Sequence, residues 1–262
     1  MSDRQYNLNP AYRQSHIKTL INGCPKEFIH QVENPSSPTP AMERGTCVHL
    51  MALTPDETKL DIGVYTGAKR QGKAWTEFKT ANINKQILML EKEFIQCQHQ
   101  ADEVKAYPIW QRIMKDNPII EKPIYWSDPD FPNIKLKSKP DIVSDNYIVD
   151  LKTTSSISDF EKQFWSLRYD FQAAAYSRAV RQEYGDSKIF VIIAVESKQP
   201  NIVKHFVVLD ETVEYGEITW KKALEKLNNC VETDTWPDHS EEETHLIALP
   251  EWRREQIKEE VL

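Results

Sequence analysis

Two short stretches carry residue types that can act together: Lys139-Pro140-Asp141 and Asp150-Leu151-Lys152. Between them, Ser144-Asp145-Asn146-Tyr147 has the composition of a tight turn. With Asp145 and Asn146 at the centre of a two-residue hairpin, Ser144 faces Tyr147, Ile142 faces Val149, and Asp141 faces Asp150. Carboxylates directly opposed on a strand pair repel each other, and a cation between them removes that cost. Lys152, two residues past Asp150, points to the same face. Glu121, at the start of the preceding strand, can reach the same end of the sheet. Three carboxylates and a lysine make an oxygen-rich site suited to Mg²⁺, with Mn²⁺ as a substitute. A cation held there polarises a phosphodiester and lowers the pKa of a bound water. A neighbouring lysine orients that water or stabilises charge on the phosphate oxygens. An acid and a lysine two residues apart occur by chance in any chain of this size, so the argument rests on the hairpin.

The elements that must position these residues follow from periodicity and turn signals. Residues 134–143 alternate Ile or Leu with Lys135, Lys137 and Lys139, the pattern of a half-buried strand. Further strands are expected at 122–126, 147–151, 189–195 and 202–209, with turns at 128–133 and 198–201. The segment 189–195 is apolar throughout, as in a strand covered on both faces. Ser15 can cap a short helix over 16–22, ended by Gly23 and Pro25. Thr39 followed by Pro40 starts a helix that runs to Leu53 and stops before Pro55. Residues 63–72 read as an exposed loop. Helices are expected over 82–104, with Ile83, Ile87, Leu90 and Phe94 on one face, over 158–183, and over 214–229. Helices precede the strands and one interrupts them. That order predicts an α/β (α+β) fold, a central mixed sheet of about five strands flanked by helices. It reads as one domain: a helical part (1–118), a sheet core (119–230) and a charged tail (231–262).

Composition bounds the rest. The chain has 262 residues, 40% hydrophobic and 28% charged, with a formal net charge of −7, which argues against general coating of nucleic acid but not against a local basic cleft. Its apolar runs are strand-sized, so no membrane span is expected. The N-terminal residues lack a signal-peptide profile. The four cysteines Cys24, Cys47, Cys97 and Cys230 show no metal-knuckle spacing and read as reduced thiols of a cytoplasmic protein.

Ile124-Tyr125-Trp126, Lys139-Pro140-Asp141, Val149-Asp150-Leu151-Lys152-Thr153-Thr154 and Phe171-Gln172-Ala173-Ala174-Ala175-Tyr176, in that order, resemble the PD-(D/E)XK nuclease superfamily. Within it the chain looks most like the RecE-type (exonuclease VIII) branch of phages and prophages, with the lambda exonuclease branch more distant. The resemblance implies a restriction-endonuclease-like core. It makes Asp141 and Asp150 metal-binding carboxylates, with the Leu151 backbone carbonyl as a further ligand, and Lys152 the catalytic lysine. Glu121 matches the acid before the Ile-Tyr-Trp strand. Gly45-Thr46-Cys47-Val48-His49 looks like the family's Gly-Thr-x-x-His helix, whose histidine contacts the metal; by itself, His49 among Val48, Leu50 and Met51 reads equally as a core residue. Gln172 and Tyr176 share a helix face, and the resemblance implies that they border the site and position Lys152 or the DNA backbone. It also implies linear double-stranded DNA as substrate, 5′→3′ polarity, a homo-oligomeric ring, and a RecT-type single-strand annealing partner. One related branch holds an iron–sulfur cluster with four cysteines; here only Cys230 lies late, so no such cluster is expected.

Lys69, Arg70 and Lys73 in the expected loop, and Arg168, Arg178 and Arg181 near Gln172, are candidate phosphate contacts, although charge runs are usually solvated faces. Trp75 and Phe78 could stack on a DNA end, but core packing is the simpler reading. Three other functions compete: a structure-specific or restriction-like endonuclease, a catalytically silent DNA-binding module, and a small-molecule phosphatase, for which no phosphate loop is present.

Overall fold

The computed structural model describes residues 3–56, 61–239, 247–251 and 253–254. The chain begins with α1 (Asp3–Leu8), β1 (Tyr12–Arg13), α2 (Gln14–Ile17), α3 (Thr19–Asn22), α4 (Pro25–Glu33) and α5 (Pro40–Leu53). Next come β2 (Ile62–Tyr65), α6 (Gly72–Ala81), β3 (Ile87–Leu90), α7 (Glu91–Ala106) and α8 (Pro108–Ile113). The strands β4 (Ile119–Ile120), β5 (Ile124–Asp128), β6 (Phe131–Ser138), β7 (Ile142–Val143) and β8 (Tyr147–Thr154) follow. The described elements end with α9 (Phe160–Ser166), α10 (Tyr169–Tyr184), β9 (Ile189–Glu196), β10 (Val203–Val208) and α11 (Asp210–Thr233).

A five-stranded mixed sheet, in the order β10-β9-β8-β7-β4, organises the molecule. Strands β8 and β9 run parallel at its centre, and the other pairings are antiparallel. The alternation of side chains along these strands divides the interior into two cores. Ile148, Phe190, Ile192 and Ala194 pack with Phe171, Ala175, Trp220 and Leu224 from α10 and α11. Val149, Leu151, Val191, Ile193 and Val195 pack on the other side with Val48 and Met51 of α5 and Cys97 and Ala101 of α7. A strand buried on both faces is apolar at every position, which accounts for the apolar run at 190–195; Ile189, at its start, is 49% exposed. A second sheet, β1-β6-β5, and a parallel pair, β2-β3, complete the strands.

Local signals explain the joints nearest the site. The Thr39 side chain accepts a hydrogen bond from Met42 N (3.3 Å), and Pro40 opens α5 as expected. At Gly216 a Cβ would overlap the Asp170 carbonyl, so only glycine lets α11 cross α10 this closely.

Several expectations are corrected. The stretch 134–143 is not one strand: β6 ends at Ser138 in one sheet, and β7 belongs to another. Pro140, with no N–H for the ladder, sits at the break. Within β6 the alternation fails at Lys137, which is 3% exposed; its ammonium donates to the carbonyls of Tyr6 (2.8 Å) and Asn9 (2.6 Å). The expected helix over 82–104 begins only at Glu91, because Ile87–Leu90 is a strand paired in parallel with Ile62–Tyr65. That pairing also turns the first part of the expected loop at 63–72 into strand. The helix expected over 158–183 is two helices, split where Arg168 takes a left-handed conformation (φ 56°, ψ 51°). Ser15 caps nothing; residues 14–22 form the two short helices α2 and α3. Of the tail, α11 continues to Thr233, and residues 240–246 lie outside those described.

Candidate active site

The hairpin has the register the turn chemistry demands: Ile142 pairs with Val149 and Val143 with Ile148, closed by the Ser144 N–H donating to the Tyr147 carbonyl (2.8 Å). Just beyond the last pair lie Asp141 and Asp150, 8% and 3% exposed. The β4–β7 ladder extends one step further, with Glu121 N donating to the Asp141 carbonyl (2.9 Å). Glu121 therefore arrives beside Asp141 from the β4 side, at a left-handed backbone position (φ 46°), and not from the start of β5.

Asp141 is held from two directions. Its Oδ2 accepts the Leu151 backbone N–H (2.6 Å), and its Oδ1 lies 3.4 Å from His49 Nδ1. The Leu151 backbone enters the site through this amide. His49 reaches it from α5, whose other side chains fill the second core. Lys152 lies 2.6 Å from Asp150 Oδ2 and donates to Gln172 Oε1 (3.1 Å), while Gln172 Nε2 donates to Asp150 Oδ1 (2.7 Å). Gln172 thus fixes both partners of the ion pair with one amide. Tyr169 places its ring 4.7 Å from the Lys152 ammonium. Sequence reasoning missed Tyr169, although it stands three residues before Gln172 and seven before Tyr176, on the same helix face. Lys139 pairs with Glu121 (3.0 Å).

The electrostatics follow from burial and from these neighbours. Burial lifts the Asp150 carboxyl above the ordinary range; Lys152 opposes that and Asp141 reinforces it. For Asp141 burial pushes the same way, but His49, Lys152 and the Leu151 N–H outweigh it and hold the carboxyl low. Burial disfavours a charged His49, yet Asp141 raises its pKa above the ordinary value. Burial opposes the Lys152 charge too, and Asp150, Tyr169 and Asp141 restore it and raise its pKa. Burial and the two aspartates push the Tyr176 phenol well up.

A divalent cation fits this donor set. The ligand atoms of His49, Glu121 and Asp141 lie within 4.8 Å of one another, one of two such groups among the described residues; the other is Cys24, Glu27 and His239. Asp150 Oδ2 is buried without a hydrogen-bond donor in good geometry, despite its contact with Lys152. A buried carboxylate oxygen left in that state is what a metal ligand looks like before the metal.

The basic candidates fare differently. Arg70 is committed to Glu43 and Glu93 (both 2.7 Å), which fastens the segment after β2 to α5 and α7. Arg178 grips Asp128, and Arg181 faces Glu217 (3.6 Å). Arg168 forks onto Asp170 (3.0 and 2.9 Å). Lys69 and Lys73 are exposed; Lys73 lies in the first turn of α6 and not in the expected loop, 3.8 Å from Glu77. Trp75 is buried and stacks on Phe78 (5.5 Å), so these two rings are core. All four cysteines are free and buried. Among the described residues no helix is long and apolar enough to cross a membrane.

Comparison with known proteins bears on the family and the fold. The model of a family described as a "PDDEXK-like domain of unknown function (DUF3799)" matches residues 14–247. The chain belongs to this family. A crystal structure from Eubacterium rectale described as "Putative exonuclease" is similar to this PDDEXK-like domain with a TM-score of 0.65, covering 95% of each chain at 17% identity. At that identity the likeness concerns the fold. Among curated proteins none matches significantly.

Proposed function

We propose that this PDDEXK-like protein is a divalent-metal-dependent exodeoxyribonuclease that removes nucleotides from one strand at the end of linear double-stranded DNA. The observation that carries the reading is the convergence of Asp141, Asp150 and Lys152 on one sheet end, with His49 and Glu121 alongside and one Asp150 oxygen lacking a hydrogen bond. Asp141, Asp150, His49 and Glu121 would hold the cation, Mg²⁺ or Mn²⁺, with the Leu151 carbonyl as a further ligand. When bound, such an ion polarises the phosphodiester and lowers the pKa of a bound water.

The chain's own groups supply the rest. Lys152, kept protonated by Asp150, stabilises charge developing on the non-bridging phosphate oxygens. Gln172 holds Asp150 and Lys152 at a fixed separation, so the pair is preorganised before substrate arrives. His49, Lys152 and the Leu151 N–H keep Asp141 ionised, ready to ligate. Tyr176 stays neutral beside the two carboxylates and borders the site without adding charge. The exonuclease reading over a restriction-like endonuclease rests on the resemblance to RecE-type enzymes and on the description of the Eubacterium rectale structure. From the same resemblance we infer 5′→3′ polarity, a ring of subunits around DNA, a role in phage-type recombination, and an annealing partner of the RecT type.

Digestion of end-labelled linear duplex beside covalently closed circles, with Mg²⁺, with Ca²⁺ and with excess EDTA, tests this. The expected outcome is release of labelled mononucleotides or short products from one 5′ end with Mg²⁺, intact circles, and no cleavage in EDTA. Ca²⁺ should permit binding with little cleavage. Full activity in EDTA would remove the metal assignment, and nicked circles would favour an endonuclease.

A further inference from the structure

The joint between α9 and α10 exposes large rings that connect through Phe164 and Tyr169 to Lys152. Arg168 holds a left-handed conformation there (φ 56°), which costs a non-glycine residue free energy and persists only where the surroundings enforce it. Its guanidinium is locked by the fork onto Asp170. The turn leaves Trp165 44% and Leu167 45% exposed, and Tyr215 of α11, 52% exposed, meets Trp165 edge-on at 6.1 Å. Isolated exposed apolar side chains need no explanation, but a contiguous group does.

This group is continuous with the candidate active site. Trp165 abuts Phe164 (5.1 Å), Phe164 abuts Tyr169 (6.2 Å), and Tyr169 lies under the Lys152 ammonium. Cations border the rings. Arg168 lies 6.0 Å from the Tyr215 ring, and Lys18 donates to the Leu167 carbonyl (3.1 Å). A groove lined by Ser15, Lys18, Ser166, Leu167 and Arg168 runs past them. In a chain of net charge −7, Lys18 and the Asp170-paired Arg168 beside exposed rings, with Glu27 the one acid among the groove's lining residues, suit an anionic ligand that also offers flat apolar faces.

We propose that Trp165 and Tyr215 form a stacking ledge for unpaired nucleobases of a DNA strand whose phosphates pass Lys18 and Arg168 toward Lys152. The proposal rests on the nuclease reading and narrows its substrate. Bases inside a duplex hide their faces in the stack, whereas single-stranded segments and frayed ends present them, and every base has a π-face to offer.

The test measures binding of a fluorescein-labelled single strand to the full chain by anisotropy, with Ca²⁺ in place of Mg²⁺, alongside the same strand made abasic. Trp165→Ala and Tyr215→Ala should each weaken binding of the normal strand by about 5- to 100-fold, and Trp165→Phe should recover most of it. The wild type should bind the abasic strand about as weakly as Trp165→Ala binds the normal one. A 2-aminopurine reporter should be quenched by the wild type and less so by Trp165→Ala. Unchanged affinity in both alanine variants overturns the ledge, as does equal wild-type affinity for normal and abasic strands. Dissociation of an oligomer in Trp165→Ala with DNA affinity intact would make the patch an interface between copies instead. A wild type that cleaves DNA while both variants match it removes only the ledge; a wild type that binds no DNA removes the nuclease reading beneath it.

Discussion

Two buried aspartates each bond a residue of α10, and they are satisfied very differently. Asp128, fully buried, has both oxygens filled: Oδ1 accepts from Arg178 Nη2 (2.8 Å) and Asp130 N (3.1 Å), and Oδ2 accepts from Arg178 Nε (2.8 Å) and Trp220 Nε1 (3.1 Å). Asp150, almost as buried, has one oxygen bonded to Gln172 and the other touching an ammonium without a good hydrogen bond, with a second carboxylate nearby. The same side chain at the same depth is clamped by four donors in one place and shared between one amide and one ammonium in the other. Burial alone does not mark a functional acid; the groups that share the carboxylate decide its role.

The largest expected effect lies on the Asp150 side. Asp150→Asn should lower cleavage of linear duplex by several orders of magnitude while DNA binding persists, since the metal's activation of water is lost. Lys152→Ala should do the same to cleavage but leave metal binding intact or slightly tighter, as isothermal titration with Mn²⁺ would show. Wild-type cleavage by Asp150→Asn would break the contrast outright.

On the clamp side, Asp128→Asn should cost about 1–3 kcal/mol of folding stability by weakening the buried hydrogen bonds to Arg178 and Trp220, while Glu217 (3.6 Å) and Asp130 (3.9 Å) still face the guanidinium. Cleavage per folded molecule should not change, so denaturant titration and a rate on one preparation separate the two roles.

Gln172→Leu sharpens the comparison, because it deprives Asp150 and Lys152 of their shared amide. Cleavage should fall by about 10- to 100-fold, the usual loss when a group supporting metal ligands is removed. An effect as large as that of Asp150→Asn would mean that Gln172 itself touches the reacting atoms.

Smaller is the stability of Asp150→Asn in chelator. Burial lifts the Asp150 pKa in the folded state, so folding favours the protonated form, and stability from this group rises as pH falls from the folded pKa toward the ordinary carboxylate value. The neutral asparagine should therefore melt at or slightly above the wild-type temperature at neutral pH without metal. A Tm several degrees lower would show that the Lys152 pairing outweighs the carboxylate repulsion.

Histidines give the smallest test. His16 accepts from Arg13 Nε (2.8 Å), and burial, with Arg13 and Lys137 nearby, lowers its pKa to about 4. Between the unfolded value near 6.5 and about 4, the unfolded chain takes up a proton that the folded chain refuses, so stability falls with pH. His16→Gln should flatten the Tm profile over that window. His49, raised by Asp141, acts in the opposite sense in metal-free protein.

What the sequence determined by itself was local. The Asp145-Asn146 turn fixes the hairpin register because side chains alternate strictly and a tight turn admits one pairing. That register alone places Asp141 and Asp150 at one end of one strand pair. The Thr39-Pro40 start of α5, the two-sided burial of 190–195, and the shared face of Gln172 and Tyr176 follow from capping and periodicity in the same way. Tertiary structure decided the rest. Ile87–Leu90 is apolar enough for either helix or strand, and only its parallel partner at 62–65 settles the choice. Lys137 alternates as a surface residue would, yet the carbonyls of Tyr6 and Asn9, more than a hundred residues away in sequence, satisfy its ammonium in the interior. Arg70 and Arg178 read alike as free cations, and each is claimed by carboxylates of other elements. Whether a charge is spent on structure or left for a ligand depends on which groups the fold brings within about 3 Å, and pattern along the chain carries no record of that distance.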